Sequence, residues 1–297
     1  MIFNSFLPLK VNIAVSITYL NIITTCSLLH CKNKALKKEI KLMANIVAIK
    51  KDLHQKLKLS NKRNLKHVAG QHIVPVHAAE FAQAASSLPV VIVKDPDSER
   101  FRSVAMLGLE AGENLFLQDE KWTALSMPQS ISMVPFSLGI DPDKENTLTA
   151  CIDLDSEFIG EDKDLALFED DGKESEVLTN VQQALGRLYD NERMTENFIK
   201  ELQENDLLQE LELNIALSTG EKKKLVGIFT INEEKIKNLS DDKVLDFHKR
   251  GLFVPIYSML GSLTQVNHLV QLRNRVSEAK VAGVQIVPVG KEAANES

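Results

Sequence analysis

Cysteine is scarce in this chain. Three occur among 297 residues, at 26, 31 and 151, so beyond residue 42 only Cys151 remains. A single thiol closes no internal disulfide and cannot build a Cys-rich zinc site. A disulfide-stapled module and a zinc ribbon are therefore excluded. Glycine (13) and proline (9) are also few, which excludes a collagen. Positive charge is not in excess: 35 Lys plus Arg face 41 Asp plus Glu, for a net charge of −6. That balance argues against a surface built to cover nucleic acid, and no nucleic-acid partner is expected. Motifs are missing as well. There is no G-x-S-x-G nucleophile elbow and no Gly-rich phosphate loop. No two histidines stand at the i, i+4 spacing of a helical zinc motif. What is present, 44% apolar and 26% charged residues, is ordinary for a globular chain.

The charge is unevenly spread. Residues 1–42 carry six Lys and one Glu, or +5, and the remainder carries −11. This piece also holds a 21-residue uncharged run, VNIAVSITYLNIITTCSLLHC (11–31), between Lys10 and Lys32. Its length matches a membrane span, but Asn, Ser, Thr and His dilute it. Five of the six Lys follow the run, against the order of a secretory signal. The reading preferred here is an upstream extension ahead of the start-like MANIVAIKKDL at Met43. A single apolar anchor over 11–31 is the alternative, and it would keep the main domain on the cytosolic side. The expected location is cytoplasmic, with no stable membrane insertion of the main domain.

From residue 44 the pattern predicts an α+β protein. Residues 44–70 form a basic lead-in with seven Lys or Arg between Lys50 and Lys66. HIVPV (72–76), LPVVIVKD (88–95), FRSVAMLGL (101–109), MPQSISMVPFSLG (127–139) and TLTACIDLD (147–155) read as strands, with Pro75 at a sheet edge. EAGEN and QDEKW are turns. Residues 153–176 hold eleven Asp or Glu, but aligning Gly172 with a calcium loop puts Leu167 at the first ligand position. They read as a solvated acidic loop, with Asp171-Gly172 a hairpin-type turn. Helical periodicity runs over 175–208. LELNIALS and LVGIFTI flank a turn as a β-hairpin. Asn232 and Ser240 cap short helices, and Gly251 stops the second. Residues 252–280 read as one long buried helix, and 281–297 as a tail. The expected architecture is an antiparallel β-rich half (68–160) packed with a helix/β-hairpin/helix half (174–280), together a single domain over 43–280.

The candidate site residues are few. GENLF (112–116) combines a turn glycine with an acceptor and an amide. Glu113 and Asn114, with the lone Trp122, form the candidate polar corner of a binding pocket; the alternative is a hairpin turn with side-chain caps. His72 and His77 flank a strand at an odd spacing and face opposite sides if it is regular. With a distant carboxylate they suit an iron facial triad. Cys151, inside LTACIDL, reads as a buried structural thiol. No catalytic residue and no cofactor is assigned.

Several segments carry a resemblance: HIVPVHAAEFAQAASSLPVVIVKD (72–95), VAMLGLEAGENLFL (104–117), Trp122, MVPFSL (133–138) and LALFEDDG (165–172). It continues through RMTENFIKELQENDLL (193–208), LVGIFTINEEKI (225–236), DFHKRG (246–251) and IYSMLGSLTQVNHLVQL (256–272). In this order the body resembles the SapC family of bacterial proteins, from about residue 50 to 276. The resemblance implies an association with the bacterial surface layer. It also implies genes placed beside outer-membrane receptors and tryptophan-halogenase-like flavoproteins, and no assigned catalytic residue. The peptide-transporter permease of similar name needs several spans, and saposins need several disulfides; neither fits. The expected function is a non-enzymatic binding or accessory protein of the cell envelope or of a modification pathway, with a protein partner. An iron-dependent enzyme and a structural surface-layer component are the alternatives.

Overall fold

The computed structural model describes residues 8–10, 45–95, 98–144 and 147–290. The apolar run 11–31 and the last residues of the tail, 291–297, lie outside the described residues. The chain is α+β, and it divides into two interleaved units.

The larger unit gathers residues 8–10, 65–129 and 191–290 of the described chain. Its centre is a sheet of β1 (Pro8–Lys10), β2 (Ile73–Pro75), β3 (Val90–Lys94), β4 (Phe101–Met106), β5 (Leu208–Leu217), β6 (Lys222–Ile231) and β7 (Val281–Pro288). The order is β7-β5-β6-β3-β4-β2, with β1 running parallel beside β6. Pairs Ile228 with Val93 and Phe229 with Ile92 join the C-terminal hairpin to the N-terminal meander, so both halves of the sequence share one sheet. Val90, Val91, Ile92 and Val93 are all buried. A strand covered on both faces needs this uninterrupted β-branched run. β2 is short and ends in Pro75, which lacks a donor; it lies at the sheet edge, as expected. The β5–β6 register slips between Leu211 and Leu213, and Gly227 sits opposite the slip at φ +77°. A left-handed residue of this kind accommodates a bulge at no Cβ cost.

Helices close the sheet. Part of α1 (Glu176–Glu204) belongs to this unit, and Phe198 meets Phe81 edge to face at 6.1 Å. Asn232 and Ser240 cap α2 (Glu233–Lys237) and α3 (Asp241–Lys249) as expected, through the amides of Lys235 and Lys243. Gly251 follows α3 at φ +70°. The stretch 252–280 is not one helix. It breaks at Leu263–Thr264 into α4 (Phe253–Ser262) and α5 (Gln265–Val276). There the amides of Leu263 and Thr264 turn to carbonyls three residues back, and the Thr264 hydroxyl donates to the Gly261 carbonyl at 2.8 Å. A threonine back-bonding to its own turn competes with helix continuation. Fully buried Ser262 accepts from the Val90 amide at 2.8 Å, tying α4 to β3.

The tail reading also needs correction, since Val281–Pro288 is β7, paired with β5 along most of its length. Its alternating Val, Ile and Val suit a strand, but the partner that makes it one lies about 70 residues earlier in the chain.

The smaller unit gathers residues 45–64 and 130–190 of the described chain. Phe136–Ile140 pairs with Leu148–Asp153, which pairs in turn with Ile46–Ala48. Lys58–Leu59 pairs with Ile159–Gly160 and with Leu165–Ala166. The basic lead-in and the acidic loop are therefore not wholly solvated segments; each supplies short strands. Their apolar residues Leu59, Phe158, Ile159, Leu167 and Phe168 join Ile152, Phe136 and Leu178 in one buried cluster. Lys51, Lys56 and most of the acids stay at the surface, so charge counting hid the core positions between them. Gly172 takes φ +78° in the expected turn. Cys151 is buried, and burial raises its thiol pKa. A Cβ on Gly139 would lie 2.6 Å from its sulfur.

Candidate binding site

The site builds from β2, because a histidine stands at each end of it. His72 keeps the sheet going: its carbonyl accepts from the amides of Leu107 (2.7 Å) and Gly108 (3.2 Å). The residue lines an apolar cavity of about 20 Å³ with Ile73, Val91, Val93, Met106, Gly108, Leu109, Leu225 and Ile228. His72 is only 9% exposed. Its Nε2 has no hydrogen-bond partner among the described residues. Burial lowers its pKa, so the ring is neutral at neutral pH.

His77 is treated differently. It is 2% exposed, with Glu80 Oε1 at 3.0 Å from Nδ1 and Glu192 Oε2 at 3.2 Å from Nε2. Burial alone would lower its pKa, but Glu192 and Glu80 override that and raise it to about 9. The network extends outward. Glu80 also accepts from the amides of His77 and Gln129, both at 3.0 Å. Arg102 lies 3.7 Å from Glu192 and 3.8 Å from Asp95. Thr195 accepts from the Ala78 amide at 2.9 Å. This cluster fixes α1 against the turn after β2.

A second network supports the cavity wall. The 107–115 loop closes on itself through the Leu115 amide to the Leu107 carbonyl at 2.9 Å. Glu113 accepts from the Leu109 amide at 2.8 Å and from Arg273 Nη1 at 2.9 Å. Arg273 Nη2 donates to Glu110 at 2.7 Å, and Lys223 reaches the same carboxylate at 2.6 Å. Burial opposes ionisation of Glu110, yet Lys223 and Arg273 hold its carboxyl below the usual range. Two acids and two bases thus neutralise one another beside Leu109. Gly108 is required here, because a Cβ would stand 2.2 Å from the Glu113 carbonyl oxygen.

The expected polar corner is divided among separate tasks. Glu113 is in the Arg273 network. Asn114 braces the loop, donating to the Val68 carbonyl at 2.8 Å and accepting from the Phe116 amide at 3.0 Å. Trp122 donates to the Ser126 carbonyl at 2.8 Å, and its ring lies 6.0 Å from that of Phe116. Phe116 in turn meets His268 edge to face at 5.6 Å. Sequence reading missed Glu80, Glu192, Glu110, Lys223 and Arg273. Only Glu80, three residues after His77 in a capping-box spacing, left a local signal.

The iron triad does not fit these residues. His77 has a carboxylate against each ring nitrogen and is held protonated, which leaves no lone pair for a metal. Among the described residues, no three His, Cys, Asp or Glu side chains gather as a metal site, and no helix is long and apolar enough to cross a membrane.

The family model described as SapC matches residues 49–269, most of the chain. The chain belongs to the SapC family. The match spans both histidines, the 107–115 loop and α1 to α4, and it ends inside α5 before Arg273. No curated protein and no solved structure matches this SapC chain.

Proposed function

We propose that this SapC protein is a non-enzymatic binding or accessory protein, linked to the cell envelope or to a modification pathway, that works through a protein partner on the cytosolic side. One observation carries the reading. Consecutive helices leave large apolar side chains in solvent: Leu245 on α3 at 51% exposure, and Val254 and Tyr257 on α4 at 62% and 55%. Single exposed apolar residues are ordinary, but several on adjoining helices mark a surface that a partner covers. Phe253 stacks on Tyr257 at 5.9 Å and lies 6.0 Å from Phe247, which roots this surface in the core. The charged groups around the 107–115 loop favour the same reading. They are already neutralised by one another, an arrangement that holds a shape rather than one that moves protons.

The test is site-specific photo-crosslinking in the native cell. A crosslinker replacing Val254 or Tyr257 should trap one recurrent protein, and one at exposed Glu196 on α1 should not. Indiscriminate crosslinking at all three positions, or turnover by the purified chain alone, would contradict the proposal.

A further inference from the structure

We propose that the edge of β6 from Lys224 to Val226, on the side away from β5, is a docking site for an extended segment of a protein partner, which adds to the sheet as a parallel strand in the place that β1 takes. Three observations carry it. β6 is a ten-residue strand that pairs with β5 along most of its length. On its other side β3 meets it only at Ile228 and Phe229, because β3 ends at Lys94 and the chain turns at Asp95. Among the described residues, β1 alone pairs with the remaining edge, with Pro8 opposite Lys224, Leu9 opposite Leu225 and Lys10 opposite Val226. Leu225 is buried and its two neighbours are half-buried, so backbone groups left open at this edge would be costly to keep unpaired.

An extended segment suits this edge because strand addition is carried by main-chain hydrogen bonds. In a parallel ladder alternate residues bond to the neighbouring strand. Pro8 has no amide to donate, so the bonding residue of β1 is Leu9, which stands between Lys224 and Val226. The site thus asks for an extended backbone with a free amide at its central position, and it excludes proline there. Lys224 is held by Glu212 at 2.7 Å and Lys223 by Glu110 at 2.6 Å, so recognition does not call for an acidic partner. β1 reaches the edge from more than 200 residues earlier in the chain. A strand tethered so remotely is exchangeable for the same kind of segment from another protein, which differs from it only in effective concentration. The site does not rest on the α3–α4 surface, and either can fail without the other.

The test follows hydrogen exchange of the Val226 amide, which faces β1 by the same alternation, with the Leu225 amide, which faces β5, as the internal control. In the full chain Leu9→Pro should lower protection at Val226 by roughly tenfold or more and leave Leu225 unchanged. A peptide of residues 5–13 added to that variant should restore the protection saturably, and the same peptide with proline in place of Leu9 should not. Three outcomes would overturn the proposal: Val226 protection unmoved by Leu9→Pro, no saturable restoration by the peptide, or protection that rises with chain concentration because a second copy supplies the strand. Should Leu9→Pro fail to fold, the native chain decides. An isotope-labelled peptide mixed with it should then gain protection at its own central amide, and a peptide that stays unprotected would contradict the site.

Discussion

His72 and His77 flank one three-residue strand, and both are buried, yet their surroundings leave one neutral and the other charged. Around His77 two carboxylates close in: Glu80 pairs with Nδ1 at 3.0 Å, and Glu192 stands 3.2 Å from Nε2 without hydrogen-bond geometry, with Arg102 beside Glu192 and Thr195 and the Gln129 amide bracing the turn. Around His72, which lines a cavity with aliphatic residues, Nε2 has no hydrogen-bond partner among the described residues. Burial pushes both pKa values down; only the carboxylates beside His77 reverse it. The difference teaches that depth does not set protonation by itself. Charged partners do: two carboxylates hold a proton on one buried imidazole, and the other has none beside it among the described residues to do so.

The comparison can be broken most forcefully at His77. His77→Leu leaves Glu80 without its cation and Glu192 with Arg102 alone, and removal of one partner from a buried pair costs about 4 kcal/mol. Urea denaturation should show a loss of that size, and a loss under 1 kcal/mol would mean the cluster is not a clamp.

The second way is by pH. The folded pKa of His77, about 9, lies above its free value. Its stabilisation is complete below about pH 6.5 and is lost as pH rises through about 9, on the order of 3 kcal/mol in all. His72 works in the opposite direction. Its folded pKa is lowered, so it costs stability as pH falls below its free value. Thermal melts should therefore peak near pH 6.5. His77→Leu should flatten the alkaline limb, and His72→Leu should soften the acid one. A melt profile that rises steadily toward pH 9 would contradict the His77 assignment, and one that is flat below pH 6.5 would contradict that of His72.

A smaller effect separates the cavity wall from the clamp. Arg273→Met removes the guanidinium shared by Glu110 and Glu113 but leaves Lys223 on Glu110. A loss of roughly 2 kcal/mol is expected, with the His77 titration unmoved. A shift of that titration in the Arg273 variant would show that the two networks are coupled. The smallest change has the opposite sign. His72→Leu replaces an unsatisfied buried nitrogen by carbon and should stabilise the chain by about 1 kcal/mol, measured by the same denaturation. Destabilisation by more than that would show that the ring is satisfied in solution.

The sheet was largely legible where local pattern sufficed. Val90–Val93, the hairpin around 218–224, the edge proline at 75 and the caps at Asn232 and Ser240 each carry their own signal. Val281–Pro288 did not, since its pairing partner is far along the chain. Nor did the strands in the charged stretches, where core residues such as Leu59 and Leu167 are interspersed among Lys and Asp. The same reason governs the site. His72, His77 and Glu113 stood out as residue types, but Glu192 and Arg273 reach them only through the fold, from more than 100 residues away. Nothing local distinguishes Arg273 from Arg275 two residues on, whereas in the structure Arg273 is buried and Arg275 is at the surface.

The most direct measurement is a side-chain nitrogen NMR titration of the full chain, resolving the two histidines by comparison with His72→Leu and His77→Leu. The account predicts that His77 carries a proton on both ring nitrogens at pH 7 and loses one only near pH 9, while His72 stays neutral at pH 7 and below its free pKa. If both rings titrate together near pH 6.5, the two ends of the strand are equivalent and the account fails.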